Sequence, residues 1–283
     1  MADVSASRRL SIRTHVGESQ PTYVESPCAA PTRRHTSLAL LFRGEMYRSG
    51  CEDPGVKAQD IMMLSYYQLV AQSLEACGTA VSVFFTDDGR GCANSTLRER
   101  LRSWWPTGTA QHWLHVSTRT QPQSVRAALE AYASHAHKFD VLLLARYDVR
   151  LMQPLRSWPC YRASADVIGL ASRCEQWSWR TWNCTNDQVF YVPRSRFSAF
   201  RDAMGEDTRL VIPEDARADT TCFAGATEGD GVARRGFGHG CWNALAARVG
   251  AQALAFCWPP RAEGALERND FYRRWRHGTW TAW

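Results

Sequence analysis

Lysine is nearly missing from this chain: among 283 residues only Lys57 and Lys138 are lysines, and arginine supplies the remaining basic charge. The 34 Lys+Arg exceed the 28 Asp+Glu to give a formal net charge of +6, yet the excess sits mostly in the two flanks. The stretch between them is close to neutral, and it contains neither a basic helix nor an aromatic RNA-binding motif. A nucleic-acid partner is therefore not expected. Also lacking is any apolar run near the ~20 residues needed to cross a bilayer, so no transmembrane segment is expected in this chain. Met1 to Pro31 holds no apolar signal core. No CxxC pair occurs, which argues against zinc-ribbon and thioredoxin chemistry. GxxxxGK[ST], GxSxG and HExxH are absent, and no GxGxxG follows a strand. P-loop, common hydrolase, metalloprotease and dinucleotide chemistries lose their support accordingly.

What is present describes a globular chain, 45% hydrophobic and 22% charged, with 12 Trp and 10 Cys. Its length suits one large α/β domain or two small ones. The Cys174/Cys184 and Cys222/Cys241 spacings could close disulfide loops in an oxidising lumen, and the same thiols could equally be buried and free. Asn94-Ser95-Thr96 and Asn183-Cys184-Thr185 match the N-glycosylation tripeptide, a pattern that also arises by chance.

Residues 1–36, rich in Ser, Thr, Arg and Pro, read as a disordered or processed leader. An apolar run from Ser37 to Phe42 predicts a first buried strand, followed by a loop from Arg43 to Gly55. A helix is predicted from Val56 to Ala76, its stripe formed by Met63, Tyr67, Val70, Leu74 and Cys77. Strands follow at Thr79–Thr86, Gln111–Val116 and Asp140–Ala145. They alternate with a helix capped by Asn94 or Ser95 and another opened by Pro122 and Ser124, with Val125, Leu129, Tyr132 and Ala136 as its stripe. This order predicts an α/β fold, a mostly parallel Rossmann-like sheet flanked by helices on both faces. Ligands in such sheets bind beyond the carboxyl ends of the strands. In the less regular second half, strands are expected at Val167–Ala171, Gln188–Val192 and Gln252–Cys257, and helices at Arg194–Met204 and Trp242–Val249. One domain over residues 37–260 and a polar, aromatic tail over 261–283 complete the expected organisation.

The most informative segment runs from Phe139 to Arg150, an apolar strand ending abruptly in Arg146-Tyr147-Asp148-Val149-Arg150. A carboxylate at that edge can bridge a hard divalent cation to a diphosphate, and Arg146 can neutralise phosphate or fix the carboxylate. The strand-end acid resembles the metal-binding position of GT-A-type nucleotide-sugar glycosyltransferases. Their usual motif is Asp-x-Asp; here Arg146 and Asp148 stand at that spacing, so only the second carboxylate is kept. A structural Arg–Asp pair closing the strand is the alternative.

The resemblance implies a single GT-A-like domain that transfers a sugar from a nucleotide-sugar donor to a glycan or glycoconjugate acceptor, aided by Mn2+ or Mg2+, in the Golgi or secretory lumen. On that reading Arg43, Gly44, Arg48, Asp87 and Arg146 bind the donor. Asp148 and His239 hold the metal, Asp187 takes the acceptor proton, and Trp177 and Trp179 stack on acceptor sugars. Glu214 and Asp215 are further acids able to serve as the base. Each of these residues also has a plainer role open to it, as turn, cap, core or solvated charge. A carbohydrate- or nucleotide-binding protein without transfer activity would use the same scaffold, and the arginine at position 146 favours it.

Overall fold

The computed structural model describes residues 36–47, 50–87, 92, 94–116, 121–162, 166–170, 189–205, 250, 254–256 and 266–268. The first half alternates as its periodicity predicts. Strand β1 (Ser37–Arg43) leads to helix α1 (Gly55–Tyr66), which continues through a π-helical turn (Tyr67–Gln72) into α2 (Ser73–Glu75). Then come β2 (Ala80–Asp87), α3 (Ser95–Ser103), β3 (Ala110–His115), α4 (Gln121–Tyr132) and β4 (Val141–Arg146). The short elements β5 (Val149–Leu151), α5 (Pro159–Arg162) and β6 (Ile168–Leu170) precede β7 (Val189–Pro193) and α6 (Phe197–Gly205). The last described elements are β8 (Leu254–Phe256) and β9 (Leu266–Arg268).

Among the described residues seven strands form one sheet in the order β3-β2-β1-β4-β7-β6-β8. Pairings are parallel from β3 through β4 and between β6 and β8, and β7 alone runs against its neighbours. The mixed, mostly parallel α/β architecture is as expected. Every residue of β4 is buried, as is β1 from Leu38 to Arg43, which is why both read as unbroken apolar runs rather than alternating ones. Alternate residues serve two cores. Leu38, Leu40 and Phe42 pack with Met62, Met63 and Tyr66 of α1. Ala39 and Leu41 join Val125, Leu129 and Tyr132 of α4 and Phe200 of α6.

Several local features decide where the strands begin and end. At the amino edge, Asp140 Oδ2 accepts hydrogen bonds from Thr36 N (2.9 Å), Thr36 Oγ1 (2.9 Å) and Ser37 N (3.2 Å), aligning the starts of β1 and β4. Desolvation pushes the Asp140 carboxyl up, but these bonds outweigh it and hold the carboxyl below its ordinary value. Helix α3 starts at Asn94, whose Oδ1 accepts from Leu97 N at 2.8 Å, so Asn94 rather than Ser95 is the cap. Asp60 on α1 accepts from Arg100 Nε (2.9 Å) and from Trp104 Nε1 (3.0 Å), tying α1 to α3. Gly55 opens α1 because a Cβ there would lie 2.5 Å from the Gly50 carbonyl oxygen.

Two departures from the sequence reading, and two features beyond it, are structural. Arg43, expected to open the first loop, is the last residue of β1, and Arg146 likewise belongs to β4. Of the expected stripe, Met63, Val70 and Leu74 are buried, but Tyr67 is only partly so and its neighbour Tyr66 is fully buried. The segment expected as a polar tail contributes β9, which pairs antiparallel with β5. Finally, no described cysteine is a free thiol: Cys51 and Cys92 form a disulfide, and Cys77 and Cys160 are disulfide-bonded as well. The Cys174/Cys184 and Cys222/Cys241 spacings and the Trp242–Val249 helix lie outside the described residues. No described helix is long and apolar enough to cross a membrane.

Candidate functional site

The order in which strands are added reverses between β1 and β4, which run parallel: β2 and β3 extend one way from β1, and β4 lies on its other side. This is a topological switch point, the place in open α/β sheets where ligands bind beyond the carboxyl ends of the strands. The residues at that place are arginines. Arg43 and Arg146 end β1 and β4 in direct register with each other, and they are 1% and 5% exposed. In-register positions on neighbouring strands put the two arginines on one face of the sheet, in buried surroundings where charge is weakly screened.

Asp148 completes this corner. Arg146 donates to both of its oxygens, Nε to Oδ1 at 2.7 Å and Nη2 to Oδ2 at 2.5 Å, a bidentate fork. The Tyr66 ring stands edge-on to Phe42 at 4.8 Å between centroids. Burial pushes the Tyr66 phenol well above its ordinary pKa, with the Asp148 charge acting in the same direction and Arg146 and Arg43 opposing it. Tyr66 thus belongs to the same cluster, and sequence reasoning missed it. The available signal was its spacing, four residues after Met62 and four before Val70, both buried.

The loops leaving the two strands are locked to each other. Gln59 of α1, 4% exposed, accepts from Tyr47 N at 3.0 Å and donates from Nε2 to the Tyr147 carbonyl at 3.0 Å. One amide therefore spans the loop after β1 and the loop after β4. Tyr147 reaches back, its hydroxyl donating to the Thr86 carbonyl at 2.9 Å, and its ring stacks on Phe42 at 5.3 Å. Gly44 turns the chain out of β1 at φ +91°, left-handed backbone suited to glycine, and a Cβ there would meet nothing within 4 Å.

Asp87 ends β2 on the same edge but faces inward at 3% exposure. Arg98 of α3 pairs with its Oδ2, and His115 Nδ1 of β3 lies 3.8 Å from the same oxygen. The carboxylate thus ties α3 and β3 to β2. His135 is half-buried against Phe84 at 5.1 Å and His112 at 5.3 Å between centroids.

The described residues bring together Arg43, Gly44, Asp87, Arg146 and Asp148 of the expected set, all at one edge of the sheet. Arg48, Trp177, Trp179, Asp187, Glu214, Asp215 and His239 lie outside the described residues. As for a divalent cation, Asp148 gives both oxygens to Arg146, and no group of three His, Cys, Asp or Glu side chains able to hold a metal occurs among the described residues. The described side chains alone therefore do not fit such an ion. Compared with known proteins, the chain matches no family model and no curated protein.

Proposed function

We propose that this chain is a GT-A-like glycosyltransferase, moving a sugar from a nucleotide-sugar donor to a hydroxyl of a glycan or glycoconjugate acceptor. The observation that carries this reading is the in-register pair Arg43 and Arg146 at the switch point. Anionic ligands of open α/β sheets gather at such a place, and guanidinium groups suit phosphate. In the proposed reaction the bond between the anomeric carbon and the donor phosphate oxygen breaks. A nucleoside diphosphate leaves, its growing negative charge stabilised by the two arginines. The acceptor oxygen bonds the anomeric carbon, and its proton passes to a carboxylate, for which Asp187 is the proposed base. Arg48 would add a donor to the diphosphate, and Trp177 and Trp179 would hold the acceptor ring. A cation would need ligands besides Asp148, His239 being the proposed one, and no step here is routed through it.

The bidentate hold of Arg146 on Asp148 favours a second reading, a nucleotide- or carbohydrate-binding protein without transfer. The two separate by assaying nucleoside diphosphate release and acceptor mass with nucleotide sugars, in EDTA, Mn2+ or Mg2+. Transfer by the wild type, lost in a folded Arg146→Lys variant, supports the transferase. Donor binding without transfer, unaltered by Asp148→Ala, supports the binding protein and ends the transferase reading.

A further inference from the structure

We propose that Asn94 carries an N-linked glycan, standing at the rim of the strand-end site. The tripeptide Asn94-Ser95-Thr96 fits the acceptor pattern, and the fold places all three residues on the exposed surface. The asparagine amide is already divided between two tasks. Leu97 N is a donor, so only the carbonyl oxygen of Asn94 can accept from it, as it does at 2.8 Å. Oδ1 is thereby turned toward the first turn of α3, and Nδ2, the atom that takes the sugar, is turned away from it.

Glycosylation leaves that cap intact. In the transfer, the anomeric carbon of a lipid-pyrophosphate-linked oligosaccharide bonds Nδ2 and its bond to the pyrophosphate breaks. Nδ2 gives up one proton, and the lipid pyrophosphate departs. The product is still an amide, so its oxygen keeps accepting from Leu97 N.

Two further observations place the modification. The Cys51–Cys92 disulfide closes two residues before Asn94, and Cys77 and Cys160 are also disulfide-bonded. Disulfides form in the oxidising lumen, the compartment in which asparagine-linked glycans are attached. Moreover, β2 ends at Asp87 and α3 begins at Ser95, so Asn94 stands at the carboxyl edge of the sheet. One turn further on, Arg98 pairs with Asp87. A glycan there would be attached beyond the end of β2, whereas Arg43 and Arg146 end β1 and β4.

The test is peptide mapping of the full chain, sent into the secretory pathway of a eukaryotic host by a cleavable leader and recovered from cells and medium together. Peptide N-glycosidase converts a glycosylated asparagine to aspartate. The expected result is position 94 read as aspartate in wild type and Thr96→Ser, and as unmodified asparagine in Thr96→Ala. Asn94→Asp keeps an oxygen cap, so it should unfold as cooperatively as wild type while running without the glycan. Recovery of unmodified Asn94 from wild-type chain in which Cys51–Cys92 is closed would overturn the proposal.

Discussion

At the scale of single residues, the candidate site rests on groups whose removal should have distinct costs. Arg146→Ala strips Asp148 of a bidentate partner in a mostly buried corner. Breaking a buried ion pair from one side costs about 3–5 kcal/mol, and denaturant unfolding should show a loss of that order. An unchanged midpoint would mean that Asp148 is solvated instead. Gln59→Leu leaves the Tyr47 N–H and the Tyr147 carbonyl without their present partner, at roughly 1–3 kcal/mol for each group left unsatisfied. Because the two loops flank the strand ends, this variant should also weaken any ligand held there. Asp140 makes a pH prediction. Its folded pKa is depressed below 3.8, so its contribution is complete above that unfolded value and is lost as pH falls through the folded one. Between about pH 6 and about pH 3 wild type should lose more stability than Asp140→Asn, measured by denaturant midpoints. Sequence placed Arg43, Asp87, Arg146 and Asp148 at strand ends because apolar runs stop there abruptly. Tyr66 was legible only through its spacing from Met62 and Val70, and Gln59 was not legible, since what distinguishes it is a partner, Tyr147, far away in the chain.

At the scale of elements, buried parallel strands were the most readable part of the chain. β1 and β4 are continuous apolar runs because both faces are covered, and their predicted ends are within one residue of those observed. The long helix after β1 was readable as one apolar stripe, but not its interruption. It passes through a π-helical turn, Tyr67–Gln72, and Tyr66 rather than Tyr67 is fully buried. The approach of Gly50 to Gly55 was equally hidden, because residues 43–55 read simply as a loop. It yields a sharp expectation: Gly55→Ala puts a methyl 2.5 Å from a backbone oxygen, and the loop after β1 must move. Thermal unfolding should fall in Gly55→Ala and stay near wild type in Gly108→Ala, where a Cβ meets nothing within 4 Å. Equal melting temperatures would show that the loop yields freely.

At the scale of the whole molecule, the sheet order and the covalent cross-links act together. The reversal of strand order between β1 and β4 sets their two exit loops side by side, and α1 pins those loops through Gln59. The Cys51–Cys92 disulfide, across 41 residues, joins the loop after β1 to the segment after β2, two of the segments at the carboxyl edge. Closing a loop of that length restricts the unfolded chain by about 4 kcal/mol, so a Cys51→Ser/Cys92→Ser double variant should unfold at markedly lower denaturant. A charge of +6 carried mainly by the flanks says little about a partner, whereas two arginines in register on neighbouring strands say a good deal. The most direct measurement is titration calorimetry of the folded chain with a panel of UDP- and GDP-sugars, in EDTA and in Mn2+. Saturable binding of at least one of them is expected, weakened at least tenfold, about 1.4 kcal/mol, in a folded Arg146→Lys variant. No heat with any nucleotide sugar under either condition would contradict it.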